Sequence, residues 1–106
     1  MRVRVYLYAM AARRRHKQYA PTIDAELDLH GHTGYEAERE LDVFLDDARH
    51  EGWLRVRIIV GKGTHSRDGQ PVLPDLVKSR LNARGLDYTY AKQHEGGEGA
   101  LVVRLA

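Results

Sequence analysis

The sequence contains no cysteine. Neither a disulfide nor a thiolate metal site can form, and a reducing cytoplasm is the natural setting. No apolar run approaches the roughly 20 residues of a membrane helix. No segment joins a continuous apolar stretch to a small-residue cleavage site, so nothing reads as a signal peptide. A soluble protein without membrane association is expected. Internal repeats and low-complexity tracts are also missing. What is present, 106 residues of which 42% are apolar and 30% charged, fits one small globular domain, expected to be a monomer.

Charge is distributed unevenly. Residues 1–20 hold six bases and no acid, residues 21–51 hold ten acids against two bases, and residues 52–106 hold nine bases and five acids. Such segregation on one small domain is expected where one face meets a polyanion and another is only solvated. The net charge of +2 argues against indiscriminate coating of nucleic acid.

Along the chain, Arg2 to Tyr8 alternates like a strand, whereas Ala9 to Arg15 favours helix. We expect a basic, largely helical extension over residues 1–22, with a helix across much of 4–18, ahead of a domain at 23–106. The domain opens with a strand over 25–30. Thr33 and Glu36 form a capping box for the helix that follows, in which Ala37, Leu41, Phe44, Leu45 and Ala48 make one apolar stripe before Gly52 stops it. Its many carboxylates lie mostly off that stripe and are expected to face water. Leu54 to Val60 alternates as a second strand, with Leu54, Val56, Ile58 and Val60 on one side and Arg55 and Arg57 on the other. A second helix begins near Pro71 and ends near Gly85, with Leu73, Leu76, Val77 and Leu81 facing the core. Strands over 86–92 and 100–105 complete the order β-α-β-α-β-β. Two right-handed crossovers make the first three strands parallel, and a hairpin makes the fourth antiparallel. The fold class is therefore α/β: a two-layer sandwich on a four-stranded mixed sheet, with both helices mainly on one face. The other face is left to Glu26, Asp28, His30, Arg55, Arg57 and Arg104.

Ligands of parallel sheets bind beyond the carboxyl ends of the strands. There the fold brings together two polar motifs, Asp28 and His30 at the end of the first strand and Gly61-Lys62-Gly63 after the second. Asp28 and His30 are two apart and share a face. A histidine titrating near neutrality can act as base or acid on a phosphodiester, with Asp28 orienting it or helping to bind a cation. Glycine backbone at Gly61 and Gly63 allows close approach of a phosphate, and Lys62 supplies charge. But Gly61-Lys62-Gly63 lacks the spacing of a P-loop and does not complete a Gly-x-Gly-x-x-Gly fingerprint. In the loop that follows, His65 is a candidate second acid, while Ser66 and Arg67, with Arg55 and Arg57, are candidate phosphate contacts. Ser66 beside His65 does not support nucleophilic catalysis. Asp28, His30 and His32 could alternatively ligate zinc, but no firm fourth ligand is in view and no metal is assigned. Tyr88 and Tyr90 read as sheet packing rather than base-stacking platforms.

Taken together, Leu27-Asp28-Leu29-His30-Gly31, an acidic helix, and Val60-Gly61-Lys62-Gly63-Thr64-His65-Ser66 with Gly69, Pro71, Val72 and Leu73 close behind resemble the Smr (small MutS-related) domain. The likeness covers about residues 23–106, and the Gly-Lys-Gly-x-His-Ser form is most similar to the stand-alone bacterial proteins. It implies a β-α-β-α-β-β sandwich similar to the C-terminal domain of a bacterial translation initiation factor. It also implies an endonuclease or nicking activity on DNA or RNA, in repair, recombination or RNA processing, with the family motifs falling on Asp28, His30, Gly61, Lys62 and Gly63. Family members differ in metal dependence, so no cofactor is named, and a divalent cation such as Mg2+ or Mn2+ stays open. The alternative is a module that binds branched or single-stranded nucleic acid without cutting it.

Overall fold

A computed structural model describes residues 3–5, 23–61, 72–91 and 99–105. Its elements are β1 (Val3–Val5), β2 (Ala25–Asp28), α1 (Gly34–Glu51), β3 (Arg55–Ile59), α2 (Val72–Ala83), β4 (Asp87–Tyr90) and β5 (Ala100–Arg104). The strands form one sheet in the order β1-β2-β3-β5-β4. β2 runs parallel to β3, and β5 is antiparallel to both β3 and β4, so β2, β3 and β4 all point the same way. The alternation expected from the sequence is thus present, with the last strand inserted between its two predecessors.

One expectation fails at the amino end. Val3–Val5 is not the start of a helix but an edge strand, antiparallel to β2, with Val3 opposite Leu27 and Val5 opposite Ala25. The alternating Val3-Arg4-Val5 pattern prevails because it puts Arg4 opposite Glu26 on one face and the valines on the other. The sheet therefore has five strands. The remainder of the expected helix, residues 6–18, lies outside the described residues.

Both helices pack on the same face of the sheet. Ala25 and Leu27 of β2, Val56 and Ile58 of β3, and Leu101 and Val103 of β5 meet the α1 stripe of Ala37, Leu41, Phe44, Leu45 and Ala48 and the α2 residues Val77 and Leu81, all buried. Leu73 and Leu76 are only partly buried. Leu54 departs from the expected stripe: it precedes β3 and is exposed. Its backbone N–H is held instead by Asp24, a fully buried carboxylate whose Oδ2 accepts from Leu54 at 2.7 Å and from Arg55 at 3.3 Å. Burying an ion is favourable only with such bonds, and here they fix where β3 begins.

The acidic helix is not simply solvated. Arg80 of α2 donates to Asp42 at 2.6 Å and lies 3.6 Å from Glu38. One turn on, Arg84 pairs with Asp46 at 3.2 Å and with Asp42 at 3.5 Å. Carboxylates that recur every four residues along one flank of α1 thus pair it with α2, a use no single-helix pattern reveals. Among the described residues, no helix is long and apolar enough to cross a membrane.

Candidate functional site

Backbone geometry delivers His30 to the edge where the parallel strands end. Leu29 N–H donates to Ile59 O at 2.8 Å, extending the β2–β3 pairing one residue past Asp28. Gly31 then turns the chain with φ 79°, a left-handed conformation that side chains other than glycine adopt only with strain, and His32 N–H donates back to Leu29 O at 3.1 Å. Thr33 caps α1 immediately afterwards. Its hydroxyl accepts from Glu36 N–H at 3.2 Å, and the Glu36 carboxylate accepts from Thr33 N–H at 2.9 Å, completing the capping box.

Asp28 grips His30 twice through one oxygen. Oδ1 accepts from the His30 backbone N–H at 3.0 Å and lies 2.6 Å from ring Nδ1. A carboxylate can only accept, so Nδ1 carries the proton and the lone pair of the neutral ring sits on Nε2. The His30 side chain is 62% exposed and that of Asp28 28%, so the imidazole stands at the surface while its anchor is half-buried.

The second motif begins beside the first. Val60 and Gly61 N–H groups both donate to Gly99 O, at 2.9 and 3.0 Å, joining the ends of β3 and β5. Gly61 has φ 77°, and a Cβ placed on it would lie 3.7 Å from His30 Cβ. The start of the Gly61-Lys62-Gly63 motif is therefore in contact range of the histidine. Lys62, Gly63, His65, Ser66 and Arg67 lie outside the described residues.

The two strand arginines do not join this cluster. Arg57 is tied to Glu26 across the β2–β3 pair, with Nε donating at 2.6 Å. Arg55 is opposite Arg104 at the far end of β3, four residues or roughly 13 Å of strand from Ile59. His32 is also elsewhere occupied. Its Nε2 is 2.9 Å from Glu40 Oε2 on α1, with the imidazole almost buried, so it turns away from Asp28. Asp28, His30 and His32 do not converge as zinc ligands, and no group of three metal-ligating side chains occurs among the described residues. The His32–Glu40 pair escaped the sequence reading because eight positions separate its members, and only the turn at Gly31 lays one over the other.

Residues 27–106, which contain both halves of this edge, match the family model of the Smr domain. The chain belongs to the Smr domain family. Among curated proteins it is 42% identical over 92 residues to endonuclease MutS2 of Streptococcus mutans, aligning 85% of this chain with 11% of that protein. It is 31% identical over 100 residues to an uncharacterized protein of Treponema pallidum, covering 93% of this chain and 48% of that one. The chain thus spans about half, or about a tenth, of these relatives. The crystal structure of the Smr domain of Thermus thermophilus MutS2 superposes with TM-score 0.67 at 34% identity, covering 76% of this chain and 96% of that one. The Smr fold is accordingly the framework on which Asp28, His30 and Gly61 are presented.

Proposed function

We propose that this Smr domain is a nucleic-acid endonuclease that hydrolyses or nicks a phosphodiester of DNA or RNA at the Asp28–His30 edge. The observation that carries the reading is the double grip of Asp28 on an exposed His30 beside the left-handed Gly61. Asp28 orients the ring, and His30 Nε2 takes a proton from the attacking water or 2′-hydroxyl. The attacking oxygen forms the new bond to phosphorus, the bond to the leaving ester oxygen breaks, and that oxygen receives a proton, for which His65 is the candidate donor. Lys62 and Gly63 hold the phosphate through backbone N–H groups and one ammonium, while Gly61, whose own N–H is given to Gly99 O, turns the chain beside His30. Ser66 and Arg67 extend that contact. The names of the MutS2 relatives support the reading, since each is called an endonuclease.

The test is incubation of the protein with supercoiled plasmid and with structured RNA, in Mg2+, in Mn2+ and in chelator, beside His30→Ala. Loss of general acid–base catalysis should slow cleavage by about 100-fold or more. Equal background cleavage by both proteins would remove His30 from the mechanism. Salt-dependent binding that survives Asp28→Ala and His30→Ala, with no cleavage in any cation, would establish the non-cutting binding module instead.

A further inference from the structure

His30 stands at the corner of a tight turn. His32 N–H donates to Leu29 O at 3.1 Å, closing a β-turn over Leu29, His30, Gly31 and His32. Gly31 has φ 79° and no described non-glycine residue has a positive φ, which makes the turn type II. Types I and II differ chiefly in the orientation of the central peptide, here the one joining His30 to Gly31. In a trans peptide the carbonyl and the N–H point opposite ways, so reversing it exchanges the His30 carbonyl for the Gly31 N–H while the flanking chain stays in place.

Side chains on both flanks hold this corner. Asp28 accepts from the His30 N–H at 3.0 Å and bonds the ring, but neither contact restrains rotation of the His30 carbonyl. That carbonyl is faced by His32 Nδ1 at 3.5 Å, and His32 Nε2 lies 2.9 Å from Glu40 Oε2 on α1. The Glu40 oxygen is shielded from water, and among the described residues no donor other than the His32 ring reaches it. A carboxylate oxygen out of water is costly without a partner, so Glu40 draws the His32 ring against the helix, where it is only 11% exposed. The imidazolium donates on both sides, to the carboxylate and to the carbonyl, which the neutral ring cannot do.

We propose that Glu40 and His32 are positioning residues for the Asp28–His30 site. Glu40 holds His32, and His32 keeps the His30–Gly31 peptide with its carbonyl toward the His32 ring and the Gly31 N–H turned the other way. This rests on the phosphodiester reading above. With the peptide reversed, the carbonyl would set a partial negative charge on the outward side of the turn, against an approaching phosphate. Neither residue touches the reacting atoms; both act through the backbone of His30.

The experiment compares Glu40→Ala, Glu40→Gln, His32→Ala and the Glu40→Ala/His32→Ala double variant in the full chain. The readouts are single-turnover cleavage of whichever substrate the parent cuts, plasmid or structured RNA, and the amide NMR signal of Gly31. Asp46→Ala is the control, since it removes another ion pair of α1, that with Arg84, further along the helix. Glu40→Ala should slow cleavage about three- to tenfold, the factor carried by one partly exposed ionic hydrogen bond. Glu40→Gln, whose amide oxygen still accepts from Nε2, should recover most of that loss. His32→Ala should match Glu40→Ala, and the double variant should lose no more than either, because the two act through one contact. In a His30→Ala background, Glu40→Ala should have no further effect. The Gly31 signal should be the same in the parent, Glu40→Gln and Asp46→Ala, and displaced, broadened or doubled in Glu40→Ala.

Cleavage by Glu40→Ala within twofold of the parent overturns the proposal, as does an unchanged Gly31 signal. Additive losses in the double variant, or an equal loss in Asp46→Ala, overturn it too. Urea unfolding establishes that each variant is folded; should His32→Ala unfold, the contrast between Glu40→Ala and Glu40→Gln carries the test. A parent that never cuts ends the nuclease reading alone, and the Gly31 signal then decides the positioning by itself.

Discussion

Replacing Asp28 by asparagine removes one charge and keeps the shape. The asparagine oxygen can still accept from the His30 backbone N–H, now 3.0 Å from Oδ1, but it no longer gives the ring a charged partner at 2.6 Å. A charge-assisted hydrogen bond contributes about 1.5–3 kcal/mol. Here the histidine is 62% and the carboxylate 28% exposed, and solvent screening reduces that to about 1–2 kcal/mol. Since about 1.4 kcal/mol is a factor of ten, the oriented ring with its lone pair on Nε2 becomes roughly five- to thirty-fold scarcer. Single-turnover cleavage by Asp28→Asn should fall by that factor with little change in substrate affinity. Nitrogen NMR of the imidazole should show the Nδ1-protonated tautomer in the parent and a mixture in the variant. The NMR result is independent of any cleavage. An unchanged tautomer, or cleavage within twofold of the parent while His30→Ala is inactive, would refute the orienting role.

Three further outcomes follow from the packing. Leu41→Ala, which empties a fully buried position under the sheet, should lower stability by about 2–5 kcal/mol in urea unfolding. A double-mutant cycle between Asp42 and Arg80, partners at 2.6 Å but partly exposed, should yield a coupling of about 0.5–1 kcal/mol that shrinks in high salt. Gly61→Ala and Gly52→Ala both place a side chain at positive φ, 77° and 75°, and each should cost about 1–2 kcal/mol of stability. Only the first should also reduce cleavage, because only Gly61 adjoins His30; equal loss in both would disconnect that loop from the chemistry.

Local signals accounted for most of the architecture. The capping box, the Ala37 to Ala48 stripe and the left-handed Gly52 after the helix are encoded within a few residues, and the structure has each of them. Strand alternation likewise assigned Val56 and Ile58 to the core. At the amino end, helix-favouring residues 9–15 outweighed the short alternating pattern before them, yet Val3–Val5 found a partner in β2 that no local propensity could announce. The same limitation hid the roles of Asp24 and His32. Nothing next to Asp24 in the sequence marks its role, which appears only when the chain folds Leu54 and Arg55 onto it, thirty residues away.

The opening motif shows both kinds of information. The two-residue period of a strand alone determined that Asp28 and His30 share a face, and the Thr33–Glu36 box alone determined that a helix starts just after them. The right-handed crossover rule then sufficed to bring Gly61 to the same edge. Tertiary structure decided what spacing cannot: that a single Asp28 oxygen holds both the backbone and the ring of His30, that His32 turns to Glu40, and that Arg57 is committed to Glu26. The physical reason is range. Propensity, capping and periodicity act within a single helix or strand, whereas the choice of partner for a charged side chain depends on which segments packing has brought within about 3 Å.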